Sequence, residues 1–274
     1  MTIIQGYQAA SLPTLWISGL TVSNDATTPN TKLNVSAGIA RDSNNVMDLT
    51  VGSTNTNFEG GYVVSPLVLD ATTTGVNGLD TGSLGASSVY AVFLIGDSSF
   101  QQTTGVIATL ANLASGSAPS PLMPAGYDSQ RLIGYAVTNG SSNFLLMNVA
   151  GTAHERIFRY DAPIATAITA GNATTYTAVN LRAFVPNVNN LPVALNFAFT
   201  PGAASRTLNF TPGNGVGDAI LITGQVTSVV VSDQVMVFAQ PTTISSVSTP
   251  TVDYKVSNSG DAVAVLVAGF TFFL

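Results

Sequence analysis

The chain contains no cysteine. That excludes disulfide staples and thiolate metal ligands. It contains one histidine, His154, so a Ser-His-Asp triad would have to be built on that residue. No serine lies in a G-x-S-x-G turn, and there is neither a His pair nor a D-x-D-x-D-G calcium loop. Charge is also scarce. Asp, Glu, Lys and Arg make up 8% of the 274 residues, where an ordinary soluble domain has about 25%. The eight cations (Lys32, Arg41, Arg131, Arg156, Arg159, Arg182, Arg206 and Lys255) are scattered and the net charge is −6. Phosphate backbones need clustered cations, so nucleic acid is not an expected partner. No stretch of about 18 apolar residues exists to form a membrane-spanning helix. No Lys or Arg precedes Lys32, so the basic start of a secretory signal is missing.

Two further chemical readings fail on context. The glycines of 213–218 (GNGVGD) sit between β-type runs, with no helix to present its N-terminus to a phosphate. The acids comprise two glutamates, Glu59 and Glu155, with aspartate for the rest. Asp42 and Asp48, or Asp70 and Asp80, are close enough in sequence to suggest a glycosidase pair. Most aspartates, however, stand beside Gly, Asn, Ser or Thr, which is turn context. The expectation is a chain without enzymatic activity, cofactor or metal, with no membrane insertion. A glycan-binding role on a host surface remains an alternative.

What is present reads as strand and turn. Val252, Tyr254 and Val256 alternate with Thr251, Asp253 and Lys255, the two-residue period of a strand. Residues 134–137 and 144–147 flank Asn139-Gly140, a hairpin-type pair. Residues 219–223 and 226–231 are β-branched runs around Gly224. Only 104–114 (TGVIATLANLA) approaches a helical period, as strand and loop or one short helix. The fold class expected is all-β: two antiparallel, jelly-roll-like β-sandwich domains with an extended N-terminal arm. The boundaries are 1–30 for an anchoring arm, 31–153 for the first sandwich, 154–161 for a charged linker and 162–274 for a C-terminal oligomerisation sandwich.

Three groups of residues are candidates for assembly. In the arm, Leu12, Leu15, Trp16 and Ile17 could latch onto a neighbour. In the linker, His154, Glu155, Arg156, Arg159 and Asp161 form the densest charge cluster, a clamp in which the arginines pair with Glu155, Asp161 or a neighbour's carboxylate. In the last segment, strict alternation points Val263, Val265 and Val267 one way and Leu266, Phe270 and Phe272 the other. Both faces are then apolar and need cover. These residues, with Leu274, are expected to form a subunit interface.

Residues 20–43 (LTVSNDATTPNTKLNVSAGIARDS), 90–97 (YAVFLIGD) and 124–135 (PAGYDSQRLIGY) resemble a group of tailed-bacteriophage virion proteins: tail-fibre, head-fibre and tail-appendage subunits. The pieces 253–256 and 260–263 resemble that group's closing hairpin. The likeness covers most of 20–150 and about the last 25 residues, whereas 165–245 agrees by composition only. It implies a structural protein, commonly a homotrimer, assembled in the host cytoplasm and localised to the virion. Its partners would be copies of itself and other proteins of the tail, connector or capsid. It implies a fibre or appendage at the tail or head–tail junction, or else a capsid decoration protein, and it transfers no catalytic residue.

Overall fold

The structure, a computed structural model, describes residues 12–52, 62–64, 66–99, 103–111, 120–151, 154–213, 215, 219–244 and 246–274. The first half contributes β1 (Ile17–Gly19), β2 (Val22–Asn24), β3 (Lys32–Val35), β4 (Gly38–Arg41), β5 (Asp48–Gly52), β6 (Tyr62–Val64), β7 (Leu67–Asp70), β8 (Gly78–Leu79), β9 (Val89–Gly96), β10 (Gly105–Leu110) and β11 (Ser129–Val137). The second contributes β12 (Met147–Gly151), β13 (Glu155–Gly171), β14 (Thr177–Asn180), β15 (Leu191–Thr200), β16 (Arg206–Pro212), β17 (Ile220–Gly224), β18 (Val231–Ile244), β19 (Val247–Val256) and β20 (Ala262–Phe273). No helix occurs among the described residues, so none is long and apolar enough to cross a membrane. The protein is all-β, built from curled antiparallel sheets of the β-sandwich and jelly-roll kind. The 104–114 stretch resolves as strand over β10, and its last residues lie outside the described set.

The sheets stack in layers. Two small sheets, β1-β4-β5-β6 and β2-β3-β7, come from the N-terminal part. A middle sheet runs β11-β9-β10-β8, and a large one runs β12-β13-β20-β15-β18-β19-β16-β17 with β14 on β19. All eight residues of β9 are buried, because both its faces are covered. Tyr90, Val92 and Leu94 face a core shared with Leu33, Leu49 and Leu69. Ala91, Phe93 and Ile95 face a second core shared with Phe158, Phe270 and Phe272. The two halves of the chain therefore meet in one core. Residues 155–161 are the opening of β13, not a linker.

The large sheet folds back on itself through β18. The first part of β18 pairs with β15, and its last part pairs with β19. Phe197 of β15 then meets Phe210 of β16, with ring centroids 5.9 Å apart. A turn at 258–261 separates the two pieces of the resembled closing hairpin: Asp261 accepts the N–H groups of Asn258 at 3.0 Å and Gly202 at 2.9 Å. It joins β19 to β20, which pairs with β13 and β15, so this is a crossing between layers and not a hairpin. Likewise Asn139 caps a turn by accepting from Ser141 and Asn143. Past Phe144, though, the chain leaves β11 and pairs β12 with β13. Of the 226–231 run, only Val231 enters a strand, β18.

The alternation expected along β20 is broken. Val267 lies opposite Leu195 and Gly269 opposite Ala194, so Ala268 is an extra residue, a β-bulge. The bulge switches the parity of the strand. Val263, Val265 and Val267 before it, and Phe270 and Phe272 after it, all face the same core. Gly269 has φ 155°, and a Cβ there would overlap the Phe158 carbonyl oxygen.

Two measurements test these features. Gly269→Ala is expected to cost about 2–3 kcal/mol in urea unfolding by forcing the β13–β20 ladder apart, while Gly140→Ala, which meets nothing within 4 Å, should change stability by less than about 0.5 kcal/mol. The second concerns Lys32 and Asp70, directly opposed on β3 and β7 and 2.9 Å apart. The Thr72 hydroxyl and then Lys32 bring the Asp70 carboxyl down from 3.8 to about 2. A lowered carboxyl pKa contributes stability that is complete above the ordinary value and is lost as pH falls through the folded one. Stability measured by chemical denaturation should decline between pH 4 and 2, and less steeply in Asp70→Asn.

Candidate interaction surfaces

The N-terminal segment is part of the body from residue 17 on. Ile17 to Gly19 pair with Ala40 to Gly38, and Val22 to Asn24 pair with Val35 to Leu33. Ile17 and Leu20 are fully buried. Ile17 is therefore withdrawn as an anchor for a neighbour; its side chain fills this chain's own core. Leu12 is half-buried, and its N–H reaches Asp48 Oδ2 at 3.5 Å. Leu15 and Trp16 remain exposed, at 53% and 39%. Residues 1–11 of the expected arm lie outside the described residues.

Two buried arginines stitch this segment down. Arg131 Nη2 donates to the Leu15 carbonyl at 3.0 Å. Arg156 Nη2 donates to the Gly19 carbonyl, and its Nη1 to Thr21 Oγ1 at 3.2 Å. Burial lowers both guanidinium pKa values, and at Arg131 the charge of Asp42 offsets part of that. A guanidinium suits the task because its fork can reach two acceptors at once and it stays charged when desolvated. The backbone must bend to receive it: Leu15 and Leu20 have φ of 64° and 59°.

The charged cluster around 154–161 is thus a clamp of a different kind from the one expected. Among the described residues no ion pair joins its members. Arg156 grips the N-terminal backbone, not a carboxylate. Glu155 and Arg159 are half-buried on β13, whose inward residues are Arg156, Phe158 and Tyr160. His154 and Asp161 are exposed. The His154 carbonyl accepts the Leu274 N–H at 2.9 Å, and the Leu146 carbonyl accepts the Asp161 N–H at 3.0 Å. Similarly, Asp128 and Arg131 do not pair with each other. Asp128 accepts from the Ser98 N–H at 2.8 Å and from its hydroxyl.

The last strand also departs from expectation. Val263, Val265, Val267, Phe270 and Phe272 are at most 5% exposed within the single chain. They cannot meet another subunit. The bulge carries the aromatics inward, where Phe158 and Phe270 stack at 4.8 Å and 11°, and Tyr135 meets Phe272 edge-on at 4.8 Å. Leu266 faces the other way and is half-buried, as is Leu274. Exposed apolar residues that sequence reasoning missed include Leu122 (68%), Met236 (43%), Phe238 (52%), Phe273 (64%) and Leu221 (62%). The alternation of β18, with Met236 and Phe238 out and Val237 and Ala239 in, was a readable signal.

The carboxylates are bound into local structure. Asp42 accepts the N–H groups of Val46 at 2.6 Å and Met47 at 2.9 Å, and makes a polar corner after Arg41. Asp48 pairs with Arg41 at 3.0 Å. Asp80 accepts the Leu122 N–H at 3.2 Å. Asp97 accepts the Ser99 N–H at 2.8 Å. No cluster of metal-ligating side chains occurs among the described residues.

No family model matches this chain, and no curated protein does. Among solved structures, an exo-beta-1,3-galactanase from Phanerochaete chrysosporium aligns at 13% identity and a TM-score of 0.21, over 96% of this chain and 57% of the galactanase chain. A chain of infectious bursal disease virus, Gt strain, aligns at 10% identity and a TM-score of 0.24, over 96% of this chain and 72% of the viral one.

The stitching is open to test. Arg156→Ala removes a buried charged donor and with it the bonds to the Gly19 carbonyl and the Thr21 hydroxyl, a loss of about 1–3 kcal/mol. Trp16 is the chain's one tryptophan, so its emission reports on the segment. In the variant the red shift of Trp16 should precede the loss of β-sheet circular dichroism as urea rises. In the native chain and in Arg159→Ala the two should coincide.

Proposed function

We propose that this chain is a non-enzymatic structural subunit of a tailed-bacteriophage virion, working as a homo-oligomer in a fibre or appendage at the tail or head–tail junction. The observation that carries the reading is the surface. It is short of charge, and Leu122, Leu221, Phe238 and Phe273 each stand more than half exposed. A surface of that kind is suited to being covered by protein. The use of charge supports the same reading. Arg131 and Arg156 serve the chain's own architecture, and Asp42, Asp48, Asp70, Asp80 and Asp128 each bind a turn or an ion pair. The motifs in 20–43, 90–97 and 124–135 supply the phage assignment by resemblance. A capsid decoration role uses the same surface and differs only in location.

Light scattering of the purified chain at micromolar concentration is expected to return a multiple of the chain mass. Cryo-electron microscopy of the particle is expected to place repeated copies at the tail or its junction. Copies on the capsid lattice would establish the decoration role instead. A stable monomer would overturn the assembly reading.

A further inference from the structure

The outer face of β12-β13-β20-β15-β18 is the side turned away from both cores. Strand registers lay it out in rows. One row runs Arg159, Gly269, Ala194, Met236 across β13, β20, β15 and β18. The next runs Leu266, Asn196, Gln234, and the one beyond it Ala264, Ala198, Ser232. On the other side of the first, Ile157 lies opposite Thr271 and Pro192 opposite Phe238. An antiparallel sheet with one face in water normally carries polar and charged residues there. Over these paired positions only Glu155 and Arg159 are charged. The Gln234 side-chain amide donates to Asn196 Oδ1 at 2.8 Å.

We propose that this face is the homotypic contact, and that it stacks on the same face of a second copy of the chain. This rests on the assembly reading above and names its surface. The shape of the face suits a flat occupant. Ala198 and Ala264 leave a low floor beside Ala194 and Gly269, which are buried within the chain, and Met236, Phe238 and Phe273 stand up around it. Two such sheets pack at about 10 Å with their side chains interleaved. The charge pattern selects a second copy as that occupant. The chain carries −6 overall, yet these paired rows bear one charge of each sign, with Asp161 the next outward charge along β13, so two copies meet over these rows without net repulsion. Glu155 and Arg159 lie four residues apart on one strand, both facing outward, and among the described residues neither has an ion-pair partner in its own chain. A two-fold axis crossing the strands at the row of Ile157 and Phe238 sets each Glu155 against Arg159 of the other copy. It also brings the two Phe238 side chains together, which an unrelated acidic or basic partner would not do.

The cysteine-free chain allows a direct test. Phe238→Cys introduces a lone thiol beside the axis, and because sheets about 10 Å apart are too far for a direct disulfide, a short bis-maleimide is expected to give a cross-linked dimer on a denaturing gel. Leu221→Cys, equally exposed but on β17, is expected to give none. In sedimentation experiments Glu155→Arg and Arg159→Glu should each weaken association by about 10-fold or more, and the double exchange should restore it. These substitutions lie at the surface, and unchanged circular dichroism verifies the fold. A native chain that stays monomeric overturns the assembly reading together with this contact. If the native chain is an oligomer but Phe238→Cys gives no cross-link, or association ignores both charge reversals, the contact is overturned and the assembly reading stands.

Discussion

One extra residue in the last strand governs how this molecule divides inside from outside. Without the bulge at Ala268, Phe270 and Phe272 would continue the outward parity of Leu266. With it they turn inward and join Phe158 and Tyr135. Each buried aromatic contributes on the order of 1.5–3 kcal/mol, and the ring pairs add to that. They form the seam between the middle sheet and the large sheet, so the contact between the two halves of the chain depends on the parity of β20. Gly269 makes the switch possible because the Phe158 carbonyl occupies the space where a side chain would begin.

The same switch decides what the outer face can be. Turning Phe270 and Phe272 inward leaves alanine, glycine and a few polar residues, with Leu266 and Phe273, on the far side of β20 and β15. The result is a flat face that is neither core nor an ordinary wetted surface. Elsewhere the scarce charges do structural work that backbone pairing cannot. Arg131 and Arg156 reach the carbonyls of Leu15, just before the short strand β1, and Gly19, at its end, and Asp42 and Asp261 gather N–H groups at corners. These four side chains are themselves buried, so their hydrogen bonds count for more than an exposed ion pair does.

Much of the local architecture was legible in the residues. The alternation of Val252, Tyr254 and Val256 faces the core as read, with all three at most 6% exposed. The corner at Asp42 and the turns at Asn139 and Asp261 lie where Gly, Asn and Asp context put them. The assembly candidates were less legible. Ile17 looks like an exposed apolar residue of an extended arm, but burial depends on which strand lies opposite, and β4 comes about 20 residues later. Arg156 looks like a member of a charge cluster, but its partners are the backbone of Gly19 and the hydroxyl of Thr21. Neither distance can be read from neighbouring residues.

The sequence by itself determined the class of structure. Zero cysteines, few helix-forming charged residues, two-residue alternation and regularly spaced turn residues leave an all-β chain with no thiol or His-cluster chemistry, and these are properties of composition and local period. The tertiary structure decided which way each apolar residue faces. Core and surface are set by pairing partners far along the chain and by a single bulge, and a bulge reverses every side chain after it without altering the pattern of hydrophobic residues that announced the strand.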